Sequence, residues 1–255
     1  MDPRNRFTGR VDHYIRFRPG YPDAVIEALR EKAGWTAEAA VADIGAGTGI
    51  SSELFLRHGN RVWAVEPNAE MRAAAETLRT AWPKLEVVDG SAEATNLSGG
   101  CADFVAAATA FHWFDARTCR AEFGRILKPG GFVILMWNKR QAETSPFLRA
   151  YEDLLVQYGT DYKDRWGSER RGLTQRVADF FRGEVQNAAF ENPQYLDLEG
   201  LTGRLLSSSY APLPGHPNYQ PMLDALAGLF TRFEKEGRVA IEYLTTIYWG
   251  RLADA

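Results

Sequence analysis

The sequence predicts an α/β protein built on a doubly wound, largely parallel sheet, and three observations lead there. From residue 40 to residue 140, short apolar runs alternate with amphipathic stretches of helical period. The first run stops in a cluster of glycines, the mark of a tight strand-to-helix turn. The runs, such as residues 132–137, are apolar throughout rather than at every second position, which suits strands covered on both faces. Strands alternating with helices imply right-handed βαβ units side by side in one sheet.

The elements follow in order. Residues 1–20 are polar and arginine-rich, and Arg4, Arg6 and Arg10 read as a solvated arm. Pro22 opens a helix with Val25, Ile26 and Leu29 on one face, closed by Gly34. Strands are predicted over 40–44, 61–67, 85–90, 102–110 and 131–138. Helices fall between them over 50–59, 68–82 and 115–127. Asn68 is the expected N-cap of the second of these helices, and the LKPGG segment after the third reads as a turn. Residues 141–189 lose the rhythm and read as helices, an inserted cap. Residues 190–198 read as one strand, with Pro193 requiring an edge position. A helix over 198–210, a proline-rich turn, a helix over 218–237 and one long strand over 238–252 follow.

Composition narrows the function. The chain has 255 residues, 45% hydrophobic and 25% charged, with a formal charge of −3. These are globular values, enough for a core without disulfides or metal. Cys101 and Cys119 fit neither a disulfide framework nor a zinc pattern, and a reducing cytoplasm is the expected location. No apolar run approaches the roughly 20 residues of a membrane span, and no secretory signal is expected. Mild acidity gives no general attraction to nucleic acid, so neither nucleic acid nor membrane is an expected partner. The basic cluster at 165–176 reads as a solvated helix face.

The chemistry-bearing pattern is AVADIGAGTGI at residues 40–50. Gly45, Gly47 and Gly49 let the backbone turn and let a ligand approach without a Cβ in the way. Glu66, at the end of the next strand, is placed to accept hydrogen bonds from both ribose hydroxyls of a nucleoside. A dinucleotide fingerprint is G-x-G-x-x-G, whereas the spacing here is G-x-G-x-G. Asp43, just before the loop, would repel a pyrophosphate and attract an ammonium. Both details favour S-adenosylmethionine over a dinucleotide.

Five segments in order, VADIGAGTGI, VWAVEPNAEM, VVDGSAEATNL, FVAAATAFHWFD and LKPGGFVILMWN, resemble the class I S-adenosylmethionine-dependent methyltransferases. The similarity is nearest to their small-molecule branch of trans-aconitate and methyltransferase type 11 enzymes. It covers residues 10–140 well. The resemblance implies a Rossmann-like seven-stranded sheet with an antiparallel last strand and a helical cap insertion. It also implies one methyltransferase domain over residues 1–255: a lid arm at 1–22, a cofactor-binding core at 35–140, the cap at 141–189, and 190–255 completing the sheet. The cofactor would be S-adenosylmethionine, leaving as S-adenosylhomocysteine, with no metal. By position in the family's motifs, Asp43, Gly45, Ala46, Gly47, Thr48 and Gly49 would face the methionine part. Glu66 would hold the ribose, with Pro67, Asn68 and Met71 beside the adenosine. Ser91, Ala92 and Glu93 would line the adenine, Ser91 standing where many relatives have an aspartate that Asp89 or Glu93 would then replace. Ala108 would lie against the methionine end. YIRFRPGYP resembles the branch's lid, in which Tyr14 covers the methionine end and Arg18 pairs with its carboxylate.

The acceptor side is less determined. His112 and Trp113 follow the fourth strand, and His112 is the candidate base. Trp137, Arg140 and Tyr210 are the expected contacts of a small-molecule acceptor, a carboxylate or hydroxyl, with Arg140 suited to an anion. Three alternatives stand beside this reading: an RNA or protein methyltransferase, a non-catalytic S-adenosylmethionine-binding protein, and a nicotinamide oxidoreductase. The oligomeric state is left open.

Overall fold

The alternation from residue 40 onward forms the centre of the protein. The computed structural model describes residues 10–162 and 172–253. Strands β1 (Ala40–Ile44), β2 (Arg61–Val65), β3 (Leu85–Val88), β4 (Ala102–Ala108) and β5 (Leu127–Arg140) run parallel. With β6 (Gln186–Glu191) and β9 (Tyr243–Gly250) they form a seven-stranded sheet ordered β3-β2-β1-β4-β5-β9-β6. β9 is antiparallel to both its neighbours. Strand order reverses between β1 and β4, so a crevice opens at their carboxyl ends, where ligands bind in sheets of this kind.

Alternate residues of each strand feed two cores. Val41, Phe104, Ala106, Ile134 and Met136 face α2 (Ala24–Ala33) and α3 (Ile50–Arg57). Ala42, Ile44, Val105, Ala107, Val133 and Leu135 face α5 (Ala116–Ile126) and α7 (Leu173–Phe181). Both faces are buried, which is why the strands are apolar at every position. α4 (Ala69–Thr77) starts where expected, with the Asn68 side chain accepting from the Met71 N–H at 3.0 Å. Gly34 closes α2 in the left-handed conformation.

A third core makes the cap. It gathers α6 (Pro146–Tyr158), α8 (Leu198–Leu206), α9 (Tyr219–Phe233) and the small sheet of β7 (Gln194–Leu196) with β8 (Val239–Ile241) around Leu148, Tyr151, Leu201, Leu205 and Leu226. The cap therefore draws on chain from both sides of β6, while α7 packs on the main sheet. Residues 165–171 of the basic cluster lie outside the described residues. Among the described residues no helix is long and apolar enough to cross a membrane.

Four local expectations are revised. The single strand expected over 190–198 is two strands in different sheets, because Pro193 has no N–H to continue the ladder. Its first half, β6, does lie at a sheet edge. The long strand over 238–252 breaks at Glu242 into β8 and β9. The LKPGG turn is absorbed into β5 as an irregular register against β4, with Gly130 at φ +79°. Arg10 is not solvated: it is 7% exposed. It donates to the carbonyls of Leu206, Ser208 and Ala211 at 2.9, 3.0 and 2.6 Å. A cation there satisfies the carbonyls left over at the end of α8 and ties α1 (Val11–Phe17) to the cap.

Arg10→Met keeps the apolar stem and removes three charge-assisted bonds. Urea unfolding should show a loss of about 3 kcal/mol, and limited proteolysis should cut the arm before the core.

Candidate functional site

The glycine turn between β1 and α3 forms the floor of the crevice. Gly49, at φ +90°, sits where a Cβ would meet the Leu78 side chain at 2.6 Å, so its hydrogen serves packing. Gly47 differs: at φ +59°, a Cβ there would meet nothing within 4 Å, because its face opens on a cavity. That cavity has a volume of about 830 Å³, within the range of cofactor and small-molecule sites.

Glu66 closes the floor from the β2 side. One carboxylate oxygen accepts the Gly47 N–H at 2.9 Å and the other accepts the Asn68 N–H at 2.9 Å. Burial holds its pKa above the ordinary value, and the two amides oppose that. Arg72 supports the same turn by donating to the carbonyls of Glu66 and Pro67 at 3.0 and 2.6 Å. It also pairs with the exposed Asp89, which lies off the cavity wall.

Asp43 lies behind the floor. It is fully buried, and one oxygen accepts from both Ser51 and Ser52 hydroxyls at 2.7 Å, while Oδ1 has no partner. Burial pushes its pKa up to about 6, against the two serine bonds, and the nearby Glu66 adds to the rise. Asp43, Thr48 and Gly49 do not reach the cavity surface, and Ala46 lines a smaller side pocket beside Gly45. The strand geometry explains this: a residue that ends β1 under a turning loop is covered by the loop and by the first turn of α3.

The remaining residues singled out in the sequence line one cavity. Gly45, Gly47, Glu66, Pro67, Asn68 and Met71 form its base. Ser91, Ala92 and Glu93 form one end, where the Ser91 hydroxyl accepts the Glu93 N–H at 3.3 Å and Glu93 accepts the Asp115 N–H at 3.1 Å. Ala108 ends β4, and His112 and Trp113 follow on a short 3-10 helix, their rings 4.6 Å apart. Burial, with Arg176 nearby, pushes His112 down to about 4, so its imidazole is neutral at physiological pH. Trp137 and Arg140 come from β5 and Tyr210 from the cap. Arg140 donates to Glu152 at 2.7 Å and to the Tyr162 hydroxyl at 2.6 Å.

The N-terminal arm forms part of the wall. Tyr14 and Arg18 line the cavity, with the Arg18 guanidinium 4.8 Å from the Tyr14 ring centre. Asn138 and Asn192 donate to the Gly20 carbonyl at 3.0 and 2.8 Å, and Gln194 donates to that of Phe17 at 2.9 Å, which fixes the path of the chain. His13 stacks on Phe17 away from the cavity. Sequence reasoning did not find Thr109, Tyr162, Arg204 or Tyr243, and it placed Arg176 on a solvated face. Arg176 is exposed, yet it lines the cavity. Arg204 had a signal: it shares the apolar face of its helix with Leu201 and Leu205, where an arginine is out of place. Among the described residues no cluster of His, Cys, Asp or Glu is arranged to hold a metal ion.

Comparison with known proteins agrees with this architecture. Residues 42–135 match a family model described as a methyltransferase domain. An uncharacterised methyltransferase of Mycobacterium bovis is 35% identical over 159 residues, 62% of each chain. The chain thus spans 62% of the length of that relative. An uncharacterised methyltransferase of Schizosaccharomyces pombe is 26% identical over 251 residues, 95% of each chain. In the solved structure of a candidate type II methyltransferase from Anaeromyxobacter dehalogenans the same fold recurs, with TM-score 0.68 and 22% identity over 94% of this chain and all of that one.

Asp43 also makes a measurable link between pH and stability. Its carboxyl is harder to ionise folded than unfolded, so its contribution falls as pH rises from about 4 through about 6 and stays low above that. Asp43→Asn should remove this dependence. Relative to the parent, the variant should gain up to about 3 kcal/mol between pH 4 and pH 7.5 in urea unfolding.

Proposed function

We propose that this chain transfers the methyl group of S-adenosylmethionine to a small-molecule acceptor. The observation that carries the reading is the Glu66 carboxylate on the cavity wall, beside the open face of Gly47. Each of its oxygens accepts one backbone N–H and keeps a lone pair for a ribose hydroxyl. The space that a Cβ would fill at Gly47 is available to the ligand instead. A buried carboxylate directly under the loop, at Asp43, favours a cationic aminoacyl group and disfavours a pyrophosphate.

In this reading Ser91 and Ala92 lie along the adenine and Glu66 grips the ribose. Ala108, Tyr14 and Arg18 surround the aminoacyl end. When bound, the cofactor supplies an electrophilic methyl on a sulfonium. The protein's own residues then have two tasks, alignment and exclusion of water. Trp113 and Trp137 are suited to shielding the reaction zone, and Tyr162 and Tyr210 to positioning the acceptor. His112, neutral and weakly basic, is suited to accepting a hydrogen bond rather than to titrating near pH 7. A small molecule is favoured over RNA or protein because the cap roofs the cavity and the chain is mildly acidic overall.

Two measurements test the reading. Calorimetry should detect S-adenosylmethionine binding to the intact protein, and Glu66→Ala should weaken it tenfold or more, about 1.4 kcal/mol. A screen of small acids and phenols with methyl-labelled cofactor should transfer label to at least one of them. A folded protein that binds NADH and not S-adenosylmethionine would overturn the reading.

A further inference from the structure

The roof of the cavity carries an imbalance of charge. Arg204, on α8, is 5% exposed. Its Nε donates to the Tyr243 hydroxyl at 2.8 Å, and Nη1 donates to the Ser208 and Ser207 hydroxyls at 3.0 and 3.4 Å. Nη2 has no protein partner among the described residues, and the side chain lines the cavity. Arg18 lies close by, its Nε and Nη2 on the Ser207 hydroxyl and carbonyl at 3.1 and 2.9 Å. Among the described residues neither arginine has a carboxylate partner. Burial lowers the Arg18 pKa, and repulsion from Arg204 lowers it further. Arg140, also in this wall, is already matched to Glu152. Among the described residues, Glu152 is the one acid paired with these three cations.

Burying a charge without a counter-charge is expensive, and two that repel one another compound the cost. The arrangement makes sense if anions complete it. One carboxylate, that of the cofactor's aminoacyl end, can neutralise Arg18. Arg204 is left over, a cavity-lining cation whose Nη2 has no partner among the described residues.

We infer that Arg204 is the carboxylate-binding residue of the acceptor subsite, so that the methyl acceptor is a small organic acid. The inference rests on the cavity taking S-adenosylmethionine as proposed above. The free Nη2 of Arg204 offers two charge-assisted N–H donors to carboxylate oxygens. Tyr243 and Ser208 hold the rest of the guanidinium in place. A phosphate fits less well: a dianion meets more repulsion from the C-terminus of α8, which ends at Ser207, than a singly charged carboxylate does. Tyr210 completes the subsite. Burial raises its phenol pKa, but Arg140, Arg204 and Arg18 outweigh that and lower it, so it sits in a field that favours negative charge.

Ligand-observed NMR titration of the full-length protein loaded with S-adenosylhomocysteine tests this. The probes are benzoate and hexanoate against benzamide, hexanamide and phenyl phosphate. Each carboxylate should bind at least tenfold tighter than its amide and tighter than phenyl phosphate. Arg204→Gln should cut carboxylate affinity tenfold or more, with Arg204→Lys retaining part of it, while S-adenosylhomocysteine affinity stays within twofold. Equal binding of carboxylates and amides, preference for the phosphate, or an unaffected Arg204→Gln variant overturns the inference. The comparison of carboxylate with amide uses the parent protein and does not depend on the variants folding. If S-adenosylhomocysteine fails to bind while carboxylates are still preferred, the cofactor reading falls and the anion subsite stands.

Discussion

One carboxylate joins the two halves of the crevice floor. Glu66 accepts an amide from the glycine turn after β1 and another from the turn that starts α4. Those turns follow adjacent parallel strands, and their relative position determines the shape of everything above them. Charge-assisted bonds of this kind are stronger than neutral ones, and here they oppose the burial that would otherwise keep the acid protonated. The cost of keeping a carboxylate in a half-closed cavity is thus partly offset by the backbone it organises. The orientation of Gly47, the start of α4 and the wall formed by Met71 all depend on that bridge.

Much of this half was legible in the sequence because its determinants are local. A strand of five residues, a turn of glycines and an acid at the end of the next strand lie close together in the chain. Hydrophobic period located β1 to β4 to within a residue or two, and Asn68 could be assigned as a cap from its position alone. The cap was less legible because its contacts are distant in sequence. Arg10 looked like part of a solvated arm, since its partners are the carbonyls at the end of a helix formed far later in the chain. Pro193 was read as marking an edge strand when it divides two sheets. In sequence, Asp43 and Glu66 both read as acids facing the ligand from strand ends. Only the packing of Ser51 and Ser52 shows that one is covered and the other faces the cavity.

The charges that line the cavity come from different parts of the fold: Glu66 and Glu93 follow strands of the parallel sheet, while Arg18, Lys139, Arg140, Arg176 and Arg204 come from the arm, the end of β5, α7 and the cap. The sheet has its strands buried on both faces, whereas the cap has a separate core and meets the sheet through polar groups such as Arg140, which pairs with Glu152 of α6.

The position of β9 has a consequence for biosynthesis. β6 pairs with the sheet only through β9, which lies between β5 and β6 although it is made after the whole cap. On the ribosome, the edge of β5 stays bare and β6 has no place to dock until the residues from 243 onward emerge. Such late, long-range pairing is slow to form and leaves strand edges open to other chains. A nascent chain can build the floor of the crevice around Gly47 and Glu66 early, but Tyr243 enters the wall only as the sheet closes. The glycine-turn floor and the wall at Tyr243 are therefore completed at different moments of synthesis.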